Sequence, residues 1–169
     1  MRTFSWAAVL MLASLTAALA EPPGDPASIS ETDGKYFDSE GDPTFRIQAD
    51  GTVDWFTYSG FRRYHSECHV CHGPDGAGSS YAPALATSMK TLNYGDFTEI
   101  VVNGRQVNNA AQHSVMPAFG LNQNVMCYLD DIYVYLRARA QGDLPRGRPA
   151  KREDKTEATR EAENACLGS

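Results

Sequence analysis

Two thiols and an imidazole fall within five residues, Cys68-His69-Val70-Cys71-His72. The Cys-x-x-Cys-His spacing is that of covalent attachment of a c-type haem. Cys68 and Cys71 would add across the porphyrin vinyl groups, and His72 would sit beneath the iron as its proximal ligand. The same residues have two other readings. A Cys-x-x-Cys pair is also a redox dithiol or half of a zinc site. Zinc needs further ligands at suitable spacing, and only Cys127 and Cys166 remain, far apart in sequence. A dithiol calls for a β-α-β pattern nearby, and none is visible. One motif therefore implies one covalent haem c.

A six-coordinate iron needs a second donor. Met116 is the preferred candidate, because it lies in a segment well after the motif and Pro117 stiffens the chain beside it. A thioether favours the ferrous state and raises the potential. His113 is the nitrogen rival, and Met89 and Met126 are the sulfur rivals. His65 and His69 are too close to the attachment turn to reach the opposite face. The outer nitrogen of the proximal imidazole also needs a partner, since that bond fixes ring orientation and basicity. The carbonyl of Pro83 is the expected acceptor. Trp55, Tyr58 and Arg105 are unranked candidates for propionate contacts.

Helices must position these groups. Asp54 or Thr57 is expected to cap a helix running to the motif, with Phe61, Tyr64 and Cys68 on one face. Gly60 stands where another helix could approach closely. Residues 94–103 read as a short helix stopped by Gly104. Residues 105–120 read as a loop carrying Met116. Residues 122–140 are the clearest helix: Val125, Tyr128, Leu129, Ile132, Tyr133 and Leu136 recur at three- and four-residue intervals. Arg137 and Arg139 in its last turn suit the helix dipole. The expectation is an all-α fold.

Arg2, the apolar run Ala7–Ala18 and the small residues Ala18-Leu19-Ala20 form an export signal over residues 1–20, too short for a membrane span. Export and haem attachment together point to the bacterial periplasm. Residues 21–51 read as an extended N-terminal arm with room for a short strand or hairpin around Phe45-Arg46-Ile47 turning at Asp50-Gly51, 52–142 as the haem domain, and 143–169 as a polar tail. The 169 residues carry 15 Lys+Arg against 21 Asp+Glu, a net charge of −6. That balance argues against nucleic acid and anionic membranes as partners. Cys127 and Cys166, two cysteines in an oxidising compartment, are expected to form a disulfide that ties the tail down, the alternative being a pair of free thiols.

The order of helix, Cys-x-x-Cys-His, Pro83, Met116-Pro117 and final amphipathic helix resembles the class I cytochrome c fold. That resemblance implies crossing N- and C-terminal helices around one haem, with Gly60 and Tyr64 against Ile132, Tyr133 and Leu136. The segments 50–55, 64–76 and 125–133 are similar to the four-cysteine c-type cytochromes related to methanol metabolism. The implied function is electron transfer and not enzymology. The implied donor is a lanthanide-associated, PQQ-dependent methanol or alcohol dehydrogenase, and the implied acceptor is a downstream cytochrome c or oxidase. A monomer is expected. The competing reading is a haem enzyme or ligand-binding sensor with an open distal site, and Met116-Pro117 argues against it.

Overall fold

The computed structural model describes residues 26–109 and 112–168; the expected export signal lies outside the described residues. The chain begins with three short strands, β1 (Ser30–Thr32), β2 (Lys35–Phe37) and β3 (Pro43–Thr44), which form an antiparallel sheet in the order β1-β2-β3. The β1–β2 turn is Asp33-Gly34, with φ of 53° and 84°. Both values are positive, as a two-residue hairpin turn requires.

Helix α1 (Trp55–Glu67) starts at Asp54. The Asp54 carboxylate accepts from the Thr57 amide at 2.8 Å and from the Thr57 hydroxyl at 2.6 Å. The short helices α2 (His69–His72) and α3 (Leu85–Ser88) follow, with a 3-10 turn at Pro74–Gly76 between them. Helix α4 (Tyr94–Asn103) ends at Gly104 and buries Phe97 and Val101. Strands β4 (Arg105–Asn109) and β5 (Gln112–Met116) then pair antiparallel. Helices α5 (Gln123–Met126), α6 (Leu129–Gln141) and α7 (Glu157–Leu167) complete the chain.

The all-α expectation is corrected here: helices carry the core, but two antiparallel sheets make the fold mixed α/β. Strands of two to five residues are too short to display a period-two pattern above their surroundings. The segment expected as a loop around Met116 is largely the β4–β5 hairpin.

The 122–140 helix is also interrupted. It breaks at Cys127-Tyr128, where Tyr128 leaves helical geometry at φ −131°, ψ 22°. Helix α6 is buried on nearly all sides and not along one stripe. Helix α1 covers one flank, where Gly60 meets the Asp131 carbonyl. The N-terminal sheet covers another. There Arg137 is paired with Asp38 at 2.8 Å, and both side chains are almost fully buried. Arg137 also donates to the Pro43 carbonyl at 3.2 Å. The residue read as a dipole partner is thus a buried anchor for the sheet.

The tail folds back as α7, which is linked to the end of α5 by a Cys127–Cys166 disulfide. The segment before α7 joins the domain through hydrogen bonds from Val53 N to Lys151 O (3.2 Å) and from Glu153 N to Val53 O (2.8 Å).

Candidate haem-binding site

The end of α1 delivers the attachment turn. Cys68 caps that helix through its amide to the Tyr64 carbonyl at 2.9 Å, and the His72 amide then bonds to Cys68 O at 3.0 Å. Cys68, Cys71 and His72 therefore occupy a single turn. Neither thiol is in a disulfide; Cys68 is half-buried and Cys71 exposed. Burial pushes the Cys68 thiol up to about 12, with Glu67 and Cys71 adding to the effect.

Gly73 ends the turn at φ 72°, and a Cβ there would lie 2.3 Å from the Gly78 carbonyl oxygen. Only glycine fits both the left-handed backbone and that approach. The Gly78 amide returns to His72 O at 2.7 Å, and the Ser79 hydroxyl donates to Cys71 O. This fold-back brings Pro83 over the imidazole. His72 Nδ1 lies 3.0 Å from the Pro83 carbonyl oxygen. A carbonyl cannot donate, so Nδ1 carries the hydrogen and Nε2 keeps its lone pair. Nε2 has no hydrogen-bond partner among the described residues.

The loop after the motif is gripped by two side chains. The Tyr64 hydroxyl donates to Gly73 O at 2.5 Å and accepts from the Gly76 amide at 3.1 Å. Asp75, at φ 58°, is buried and accepts from the Gly147 amide at 3.1 Å, Arg146 at 3.4 Å and the Tyr135 hydroxyl at 3.4 Å. Burial pushes the Asp75 carboxyl up, but the Gly147 amide, Arg146, His65 and Arg139 together outweigh it and the net shift is downward. Asp75 links the attachment loop to α6 and to the C-terminal segment. Sequence reasoning missed it. The only signal was the Pro-Asp-Gly turn, which marks a bend but says nothing of burial.

Met116 ends β5 opposite Arg105. Strand alternation turns Met116 and Ser114 toward the protein, where both are half-buried, and His113 and Val115 outward, where both are exposed. Met116 packs against the core cluster. Its backbone passes α4 at Gly104, where a Cβ would lie 2.6 Å from Met116 O. Beyond it, Phe119 and Gly120 donate to Val101 O (2.9 Å) and Val102 O (3.1 Å).

The rivals are placed elsewhere. Met89 is 1% exposed inside the core, and Met126 packs on the core from α5. His65 donates through Nδ1 to Phe61 O at 2.8 Å. Trp55 and Tyr58 lie on the first turn of α1. At about 1.5 Å per residue that is roughly 15–20 Å of helix from Cys68, while Arg105, the third propionate candidate, stands opposite Met116 at the start of β4.

The donor set fits a covalent haem. Two unpaired thiols share a turn with an imidazole whose outer nitrogen is already occupied, and a half-buried thioether stands on a separate segment.

Residues 57–136 match the family model described as cytochrome C oxidase, cbb3-type, subunit III. The chain is 58% identical to cytochrome c-553I of Paracoccus denitrificans over 134 residues, covering 79% of this chain and 59% of that protein. It is 38% identical to cytochrome c-555 of Methylococcus capsulatus over 96 residues, 56% of this chain and 72% of that one. Among solved structures, the c-type cytochrome XoxG from Methylobacterium extorquens AM1 is similar at TM-score 0.78 and 60% identity, over 83% of this chain and 86% of that one.

Proposed function

The chain belongs to the c-type cytochromes, electron-transfer proteins rather than enzymes, and we propose that it is a periplasmic mono-haem carrier for a quinoprotein alcohol dehydrogenase. Membership implies covalent haem c, which when bound supplies reversible one-electron chemistry at its iron. Cys68 and Cys71 would hold it by thioether bonds, His72 Nε2 would ligate from one side and Met116 from the other.

The observation that carries this reading is the His72–Pro83 contact, at 3.0 Å. It fixes the tautomer and ring plane of His72, so the proximal side is organised before any electron moves. Gly73, Tyr64 and Asp75 hold the same loop in place, and Gly104 fixes the path of Met116. A site held on both sides reorganises little when charge changes. A retained thioether would also keep substrates from the iron.

The proposed donor is a PQQ-dependent methanol or alcohol dehydrogenase, and the proposed acceptor a downstream cytochrome c or oxidase. The similarity to XoxG and the shared segments 50–55, 64–76 and 125–133 support that assignment. Residues 1–20 support export to the periplasm. No helix among the described residues is long and apolar enough to cross a membrane.

The test mixes purified holoprotein with a lanthanide-dependent methanol dehydrogenase and methanol, and follows haem reduction optically. Alcohol-dependent reduction within the enzyme's turnover time is expected. No reduction by that enzyme overturns the donor assignment, and ready carbon monoxide binding by the reduced protein overturns the closed six-coordinate site.

A further inference from the structure

Residues 146–155 carry Arg146, Arg148, Lys151, Arg152 and Lys155 against Glu153 and Asp154, in a chain of net charge −6. This basic segment lies beyond residues 57–136, the span of the family match. It is bonded into the domain. Besides the two bonds to Val53, the Gly147 amide donates to Asp75 Oδ1 at 3.1 Å. These anchors lay it along α1, from Asp75 near the attachment turn to Trp55 at the helix start.

Aromatic rings fix several of the cations. The Arg148 guanidinium is 5.5 Å from the Tyr58 ring centroid and bonds to the Tyr58 hydroxyl. Arg152 lies 5.0 Å from the same ring and 4.9 Å from Trp55, and Lys155 lies 5.5 Å from Trp55. Two guanidiniums thus share one phenol ring and are no further apart than the sum of their distances to it. Like charges so placed repel each other, and stacking on the rings offsets part of that cost. Carboxylates of the chain pair three of the five, Arg146 with Asp75 at 3.4 Å, Lys151 with Asp50 at 3.0 Å and Lys155 with Glu163 at 2.6 Å, and leave Arg148 and Arg152 the least neutralised. Arg152 reaches Asp154 only at 3.9 Å, and Arg148 has no carboxylate within ion-pair distance among the described residues.

We propose that this segment is a docking surface for the acidic face of a protein partner. Cations already held by rings and backbone lose little further freedom when carboxylates meet them, which favours fast and oriented association. A protein fits better than a bilayer. The patch is local, it is interleaved with Glu153 and Asp154, and the net negative charge of the chain opposes an extended anionic sheet. The proposal rests neither on the haem ligands nor on the identity of the electron donor.

The experiment titrates the purified holoprotein with poly-L-glutamate as a carboxylate array, and separately with phosphatidylglycerol vesicles. Binding of poly-L-glutamate is expected at ~20 mM salt, weakening by roughly tenfold or more at ~200 mM as screening sets in. Arg148→Glu combined with Lys151→Glu is expected to weaken it by roughly tenfold at low salt, while Lys90→Glu, outside the segment, leaves it unchanged. Circular dichroism and the haem spectrum check folding. Lys151→Glu alone, at a side chain 58% exposed, gives the same reading if the double variant misfolds, with a smaller loss. Equal binding by the double variant and the wild type overturns the proposal. So does binding to vesicles without binding to poly-L-glutamate, or the absence of salt-dependent binding.

Discussion

A Cβ on Gly60 would lie 1.8 Å from the carbonyl oxygen of Asp131 and 2.7 Å from the Cβ of Tyr135. Helices α1 and α6 therefore touch backbone to backbone at this crossing. Because α1 ends at Cys68, the contact also sets where the attachment turn stands relative to the core. Gly60→Ala is expected to destabilise the holoprotein by about 3 kcal/mol or more, since the clash is with main chain and cannot be relieved by a rotamer change. Urea unfolding followed by circular dichroism measures this, and a loss under about 0.5 kcal/mol would mean that the helices separate freely.

Asp131 lies at the same crossing, almost wholly buried. Desolvation raises its carboxyl from the usual 3.8 to about 7, against the opposing effects of the Ser59 hydrogen bond and Lys35. A carboxyl with a raised folded value binds its proton more tightly in the folded state than in the unfolded one. Its contribution is complete below the unfolded value and disappears as pH climbs through the folded one. Stability is expected to decline between about pH 4 and about pH 7 through this group and to level off above that. Asp131→Asn should flatten that decline and exceed the wild type by several kcal/mol at the alkaline end. Parallel stability profiles for the two proteins would rule the assignment out.

The Cys127–Cys166 disulfide spans 39 residues, with Cα atoms 5.8 Å apart. Cys166→Ser is expected to cost about 4 kcal/mol in the chain-entropy model. The same change should make the segment before α7 accessible to trypsin, which has four sites there to cut, Arg146, Lys151, Arg152 and Lys155, the Arg148-Pro149 bond being resistant. An unchanged digestion pattern would show that Lys155–Glu163 and the Val53 bonds hold α7 without the sulfur link.

Met116→Ala should abolish the weak far-red sulfur-to-iron band of the oxidised protein. Its potential should fall by roughly 0.1 V or more, a modest part of the ~0.8 V range that axial ligands command. Met89→Leu and Met126→Leu should leave both unchanged. A wild-type spectrum in Met116→Ala would transfer the distal role to another residue.

The attachment turn, the Asp54 cap, the Pro83 carbonyl and the close contact at Gly60 were all legible in the sequence. Each depends on local spacing or on one residue type at a restricted position. What stayed hidden depends on contacts between distant segments. Nothing local marks Arg137 as buried, because its environment is made by Asp38, 99 residues earlier. Nothing local marks Asp75 as a link, since its partners come from α1, α6 and the C-terminal segment. The turn at Asp50-Gly51 was legible, and Ile47 pairs with Val53 across it, but β1 to β5 were missed because two to five residues give no readable alternation, and because the Asp33-Gly34 turn signal stood among other polar residues. The break at Cys127-Tyr128 was missed because the apolar repeat runs straight through it.

The sulfur chemistry of the folded chain has a consequence for how it matures. On the proposed export to an oxidising compartment the chain brings four thiols with it, and the pair closest in sequence is Cys68 and Cys71, whose union would use up both atoms needed for porphyrin attachment. The latch between α5 and α7 takes Cys127 and Cys166 out of that competition, and leaves Cys68 and Cys71 as the only unbonded cysteines. A chain that closes its C-terminal helix first thus presents a single reactive pair to the attachment machinery. Premature oxidation at 68 and 71 is then the error a reductase must correct, and it must do so beside a second sulfur bond whose Cys166 is itself exposed.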